Sequence, residues 1–170
     1  MVSLLSLWYL PPHTHIAYFI FFSALIVTIR SDLETMLISR FVTLFLIPFG
    51  LFFAKIGFLP IDFLDSLFGI LLGYGLLFIA STLFYWITKK EGMGQGDLEL
   101  LAFIGSFIGV TGCWITLFLG ALFGSLFGIT YITLSGKSNQ VRIPFGPFLS
   151  IAAMLYVLLQ EKLFTLLFGL

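Results

Sequence analysis

The chain has 170 residues, of which 60% are hydrophobic and only 9% are charged, and this excludes an ordinary soluble domain, which carries about 25% charged residues. Its formal net charge of zero provides no basic surface for nucleic acid, so no nucleic-acid partner is expected. The single cysteine, Cys113, excludes an internal disulfide and a paired-cysteine metal or redox site, and we expect it to be a packed thiol. Residues 1–170 are therefore predicted to form one all-α domain, a polytopic bundle of about six transmembrane helices embedded in a lipid bilayer.

Charged and loop residues divide the chain into six apolar segments, and a helix needs about 20 apolar residues to cross ~30 Å of hydrocarbon. The predicted spans, in chain order, are 14–30, 36–55, 66–88, 97–111, 113–134 and 143–161. Glycines four residues apart, such as Gly69 and Gly73, predict close packing between helices. Packing within one bundle is favoured over a dimer interface, and the oligomeric state stays open.

Basic residues predict the orientation of these spans, because they concentrate in cytoplasmic loops. Six of the eight basic residues fall on one side of a six-span arrangement, namely Arg30, Arg40, Lys89, Lys90, Lys137 and Arg142. We therefore expect this side to face the cytoplasm and both termini to lie outside. Asp32 follows the first span and Asp97 the third, so both carboxylates are predicted at the cytoplasmic face.

Asp32 and Asp97 are isolated carboxylates beside apolar segments, and an ionisable group near hydrocarbon is costly enough to indicate a function. Two carboxyl groups a few ångströms apart share a proton, so one can accept a proton from an attacking water while the other donates to a peptide carbonyl. This chemistry needs no metal and no cofactor, and none is expected. His13 and His15 precede the first span and are interpreted as interfacial loop residues on the opposite side.

Residues 92–97 read Gly-Met-Gly-Gln-Gly-Asp, a glycine-rich hinge that ends in Asp97. Gly92, Gly94 and Gly96 allow positive φ and close backbone approach, so an extended peptide substrate can pair with this loop. The alternative is a plain turn whose aspartate caps the fourth span. The glycine spacing leaves both open, although the second does not explain Asp32.

Three blocks of the sequence, in this order, resemble the type IV prepilin peptidases and the related archaeal preflagellin peptidases, which are GxGD membrane aspartic peptidases. They are SDLETMLI at residues 31–38, GMGQGDLELL at 92–101 and IPFGPF at 143–148, similar to the family's first aspartate block, its GxGD block and its PFGPF-type segment. The resemblance implies that Asp32 and Asp97 are the catalytic pair. It also implies a prokaryotic inner-membrane enzyme that cuts the basic leader of prepilins or pseudopilins, for type IV pilus assembly or type II secretion.

The chain departs from the family pattern in three ways. Many bacterial members carry an N-terminal part with two CxxC pairs, linked to methylation of the new N-terminus, whereas this chain has one cysteine. We therefore expect a short form with peptidase but no N-methyltransferase activity. Glu99 stands at a position where a basic residue is common in the family. Ser39–Arg40 stands where a proline followed by a polar residue is common. Both changes concern substrate choice.

Gly94, Gly96, Glu34 and Glu99 are further candidate substrate-binding residues. The two glutamates, together with Glu91, lie close in sequence to the aspartates and are placed to attract a basic leader. Solvated charge at helix ends is the alternative for all three.

Two segments away from the aspartates have simpler interpretations. Pro144 and Pro147 are predicted to shape the start of the last span, with direct substrate contact as the alternative. Asp62 and Asp65 are expected to be solvated loop residues on the far side of the membrane.

Two other functions stay open at this point. A small proton- or cation-coupled transporter would use the same carboxylates, although no convincing internal repeat is present and both aspartates fall at one face. A helper that binds leaders without cleaving them is the other possibility, and the intact pair of aspartates argues against it.

Overall fold

A computed structural model of the chain describes residues 12–90, 92–135 and 144–168, so the interpretations of Glu91, Lys137 and Arg142 lie outside the described residues. Within these ranges the chain forms helices and no strand, which confirms the predicted all-α class. The helices are α1 (Pro12–Thr35), α2 (Arg40–Lys55), α3 (Phe63–Thr88), α4 (Gln95–Ser135) and α5 (Gly146–Phe168).

Three helical stretches in the described part of the chain are long and apolar enough to cross a membrane: Thr14–Thr35, Phe63–Thr88 and Gln95–Leu134. In α5, the apolar stretch Gly146–Gln160 is shorter than these three. The predicted count of six crossings is therefore larger than the structure shows. The second predicted span begins too early at 36, since Met36 adopts a left-handed φ of 53° and α2 starts only at Arg40.

α4 is bent sharply at Gly109, which has φ 71° and ψ −171°, a conformation that favours glycine. Sγ of Cys113 lies 3.8 Å from the carbonyl oxygen of Leu101, whereas twelve residues of straight helix would separate them by about 18 Å. The two arms of α4, residues 95–108 and 110–135, therefore fold back on each other. They correspond to the fourth and fifth predicted spans, and the buried thiol of Cys113 is packed between them as expected.

α3 packs against the first arm of α4 through glycines. The backbones of Gly69 and Gly105 are in contact, so that a Cβ on either would overlap the other's carbonyl group. A Cβ on Gly73 would lie 2.5 Å from the carbonyl oxygen of Leu101, and the hydroxyl of Ser66 donates to the carbonyl of Ser106 at 2.6 Å. The two segments are thus antiparallel, and the close packing predicted from the glycine spacing is confirmed here.

The first arm of α4 is the centre of the bundle. Its side chains are among the largest fully buried ones, including Leu100, Leu101, Phe103, Ile104 and Phe107. Phe21 of α1 stacks on Phe107 with ring centroids 5.0 Å apart. α3, in contrast, exposes large apolar side chains such as Leu71 and Ile79, as suits a helix that contacts lipid. The turn that carries Asp97 therefore begins a helical segment that is enclosed by the other described helices.

Candidate active site

Three helix ends meet at one end of the bundle: the end of α1, the start of α4 and the start of α5. Asp32 lies in the last turn of α1, and Asp97 lies in the first turn of α4. Ile38, just after the end of α1, adjoins positions 96 and 146, and the N–H of Gly146 binds Asp32, so the segments that carry the two aspartates lie side by side. The structure thus places the two carboxylates that the sequence analysis paired on adjoining segments, and their action as a catalytic pair remains a prediction.

Asp32 is enclosed, with 5% of its surface exposed. Its Oδ2 accepts the backbone N–H of Gly146 at 3.0 Å. Gly146 is the first residue of α5, and the first N–H groups of a helix have no partner within the helix and carry partial positive charge. A carboxylate at this position satisfies such a group and is oriented by it.

Gly146 was missed as a site residue by the sequence analysis, which gave the segment around Pro144 and Pro147 a role in shaping the helix start. A Cβ at position 146 would lie 2.7 Å from Oδ2 of Asp32, so a larger residue there would displace this carboxylate. The available signal was a glycine set between two prolines at the start of a predicted span. The segment does shape the start of α5, and it also contacts a candidate catalytic residue.

Asp97 lies inside the first turn of α4, which begins two residues earlier at Gln95. Its backbone N–H donates to the carbonyl of Gly94 at 3.2 Å. Its Oδ1 is buried and has no hydrogen-bond partner among the described residues. Because a buried acceptor without a partner is costly, this oxygen is suited to meet a proton or a substrate group.

The glycines before Asp97 do not use unusual dihedral angles. The sequence analysis noted that they allow positive φ, but the positive-φ glycines in the described ranges are Gly57 and Gly109. A Cβ on Gly96 would lie 2.8 Å from Cβ of Ile38, whereas one on Gly94 would meet Oδ2 of Asp97 at an ordinary 3.6 Å. A substrate contact at Gly94 and Gly96 remains a prediction.

The two candidate glutamates differ in their surroundings. Glu34 is exposed on α1 and pairs with Arg30 of the preceding turn, Nε to Oε1, at 2.9 Å. Glu99 is only 4% exposed, and its Oε1 accepts a hydrogen bond from Nε of Arg40 at 2.8 Å. Solvated charge is therefore the wrong description of Glu99, because a basic partner on α2 is already bound to it. A contact of either glutamate with substrate remains a prediction.

Comparison with known proteins identifies the family. The sequence matches the type IV leader peptidase family over residues 19–129, a stretch that includes Asp32 and Asp97. The chain belongs to this family. It is a multi-pass membrane protein of prokaryotic type, as its apolar helices and bacterial relatives indicate.

Several relatives carry the name prepilin leader peptidase/N-methyltransferase. The Aeromonas salmonicida (strain A449) protein is 38% identical over 133 residues, which cover 78% of this chain and 45% of that protein. The Pseudomonas aeruginosa (strain PAO1) protein is 37% identical over 99 residues (58% and 34%), and the Legionella pneumophila protein is 38% identical over 82 residues (48% and 29%). This family member thus spans less than half the length of these relatives. No solved structure matches it significantly.

Arg40 and Glu99, which the sequence analysis considered separately, are the two partners of one ion pair. They meet in space although 59 residues separate them in sequence. Nothing local to either residue indicates the other.

The opposite end of this family member's bundle holds a different carboxylate. Oδ1 of Asp65, at the start of α3, accepts the backbone N–H of Val110 at 3.0 Å, directly after the bend at Gly109. The prediction that Asp65 is a solvated loop residue is therefore wrong, because its carboxylate accepts a hydrogen bond from the first N–H of the second arm of α4. Asp62 is exposed, as expected.

The histidines are placed differently from the prediction. His15 lies within α1 and is exposed, rather than in a loop, and the side chain of His13 is outside the described residues. No group of three or more His, Cys, Asp or Glu side chains in the described ranges is arranged to hold a metal ion.

Proposed function

We propose that this protein is a membrane aspartic endopeptidase that cleaves the basic leader peptide of type IV prepilins or pseudopilins. The observation that carries the proposal is the meeting of the ends of α1, α4 and α5, where Asp32 binds the N–H of Gly146 and Ile38 adjoins positions 96 and 146. The buried Oδ1 of Asp97, which has no hydrogen-bond partner in the described ranges, adds to it, since such an oxygen is suited to hold a shared proton. Family membership and the names of the relatives supply the class of substrate.

The reaction is the addition of water to a peptide bond. One carboxylate of the pair accepts a proton from water as the water oxygen attacks the carbonyl carbon, while the protonated member donates to the carbonyl oxygen. Collapse of the tetrahedral intermediate breaks the C–N bond: one member of the pair gives its proton to the leaving amine, and the other takes a proton from a hydroxyl of the intermediate, so the pair again holds one proton. The leader departs with a new carboxylate, and the mature segment gains a free amine. The hydrogen bond from Gly146 to Asp32 keeps that carboxyl group oriented during both steps.

Cleavage is proposed to take place at the cytoplasmic face of the inner membrane, with both termini outside. The distribution of basic residues supports this orientation. Single cysteines test it in a Cys113→Ser background, because Glu34 and Asp62 are both exposed at opposite ends of the bundle. A membrane-impermeant thiol reagent applied to intact cells should label Asp62→Cys and leave Glu34→Cys unlabelled, and the reverse pattern would overturn the orientation.

The decisive experiment is cleavage by purified protein in liposomes, using a prepilin-type peptide with a basic leader and an apolar stem. Mass spectrometry should detect leader release by the wild type and none by Asp32→Asn or Asp97→Asn. Asp62→Asn is the matched control, since it removes an exposed carboxylate far from the pair and should cleave normally. Cleavage by either site variant at the wild-type rate would contradict the proposed roles.

The alternatives predict different results in the same preparation. A transporter would leave the peptide intact and move protons or cations across the liposome membrane in a manner that depends on Asp32 and Asp97. A leader-binding helper would retain the peptide without cutting it. Absence of methyl transfer remains a prediction, for which added S-adenosylmethionine should leave the mass of the mature product unchanged.

A further inference from the structure

The α1–α2 connection, residues 36–39, lies folded against the last turn of α1. The left-handed φ of 53° at Met36 ends α1, and its N–H still donates to the carbonyl of Asp32 at 2.9 Å. The hydroxyl of Ser31 donates to the carbonyl of Leu37 at 2.7 Å. The connection is thus attached to the turn that carries Asp32.

The side chain of Ile38 in this connection touches both other segments of the site. A Cβ on Gly96 would lie 2.8 Å from Cβ of Ile38, and a Cβ on Gly146 would lie 3.0 Å from its Cδ1. Gly96 immediately precedes Asp97, and Gly146 donates to Asp32. One apolar side chain therefore separates and spaces the segments that present the two carboxyl groups.

Arg40, the residue directly after the connection, holds the start of α4 from another side. Its Nε lies 2.8 Å from Oε1 of Glu99, and the second oxygen of Glu99 is buried without a hydrogen-bond partner in the described ranges. A buried carboxylate is costly without a basic partner, so Glu99 depends on Arg40. Glu99 follows Asp97 by two residues, or about 200° around the helix, so its ion pair leaves Asp97 free to face Asp32.

We propose that Arg40 is a positioning residue, which acts through Glu99 and with Ile38 to set the distance and orientation of Asp97 relative to Asp32. The connection and the ion pair together join α1, the start of α4 and the start of α5 into one unit. The effect on rate rests on the proposed peptidase function, whereas the effect on the order of the α4 start does not.

Steady-state cleavage of the prepilin-type peptide tests the effect on rate. Arg40→Gln and Glu99→Gln should each lower kcat on the order of tenfold to a hundredfold with KM nearly unchanged, because a small displacement of a reacting group slows the chemical step. The exchanged pair Arg40→Glu/Glu99→Arg should recover part of the loss. The neutral pair Arg40→Gln/Glu99→Gln leaves no unpaired charge, and it keeps the test valid if a single variant fails to fold.

The Arg30–Glu34 pair is the matched control. It has the same residue types at a similar distance, 2.9 Å, but both side chains are exposed on α1. Arg30→Gln should change kcat by no more than about twofold, since exposed ion pairs contribute little.

Hydrogen exchange of the backbone amides supplies a readout that does not need activity. Arg40→Gln should accelerate exchange over residues 97–101, whereas Arg30→Gln should not. An Arg40→Gln variant that cleaves with the kcat of the wild type, even if its thermal midpoint is lower, would overturn the positioning role. The peptidase proposal would stand. If the wild type cleaves no leader but Arg40→Gln still accelerates exchange over residues 97–101, the result would support the role of Arg40 in ordering the start of α4. It would count against the peptidase proposal.

Discussion

The backbone N–H of Gly146 donates a 3.0 Å hydrogen bond to the carboxylate of Asp32, across 114 residues of sequence. The contact places the start of α5 directly against a carboxyl group carried by α1. Because α5 also packs on α4, the orientation of Asp32 is coupled to the helix that carries Asp97. The site is therefore made of three helix ends rather than of two aspartates alone.

Gly146→Ala should impair the site without dissolving the bundle. The added Cβ would lie 2.7 Å from Oδ2 of Asp32 and 3.0 Å from Cδ1 of Ile38, so the carboxylate must move. We expect cleavage to slow on the order of tenfold or more. Gly75→Ala is the control, since a Cβ there meets nothing within 4 Å, and it should cleave like the wild type. Equal rates for both variants would argue against a role for this hydrogen bond.

Gly96→Ala and Gly94→Ala should separate packing from substrate contact. At position 96 the new Cβ would lie 2.8 Å from Cβ of Ile38, and we expect a loss of about 1–3 kcal/mol in unfolding free energy. Gly94→Ala should fold normally, because its Cβ makes only ordinary contact at 3.6 Å. A higher KM in a stable Gly94→Ala variant would support substrate pairing at this loop, and an unchanged KM would count against it.

Asp65→Ala should reduce stability rather than specific activity. Its Oδ1 satisfies the N–H of Val110 after the bend in α4, and loss of such a cap costs about 0.5–2 kcal/mol. Asp62→Ala removes an exposed carboxylate of the same charge that makes no side-chain cap bond, and it should stay within about 0.5 kcal/mol of the wild type. Denaturant unfolding in detergent measures both. A comparable loss in the two variants would mean that charge, rather than the cap, matters.

Gly69→Ala should disturb the packing of α3 on the first arm of α4. The new Cβ would overlap the carbonyl of Gly105, and backbone cannot move aside as a flexible side chain can, so a loss of about 1–3 kcal/mol is expected. Gly75→Ala on the same helix meets open space and should be neutral or stabilising by up to about 1 kcal/mol. Thermal midpoints that do not differ between the two variants would contradict the close contact.

Several predictions from single positions were wrong for identifiable physical reasons. Asp65 was expected to be solvated, and solvated charge was one of two interpretations of Glu99, yet each carboxylate has a specific partner in the structure. The left-handed Met36 delayed the start of α2 beyond the predicted boundary. In each case the preference of a local segment was overridden by a contact or a turn that local composition does not encode.

The sequence alone was enough to predict an all-α membrane protein, from the length and composition of its apolar segments. Helix formation in lipid depends on local hydrophobicity, which these segments encode. Isolation of Asp32 and Asp97 in such a chain, with the glycines before Asp97, was likewise enough to single out that pair. Only the tertiary structure decided that Asp32 binds Gly146, that Glu99 binds Arg40 and that Asp65 binds Val110. These partners are 114, 59 and 45 residues apart, and they meet only because the helices pack in one particular arrangement.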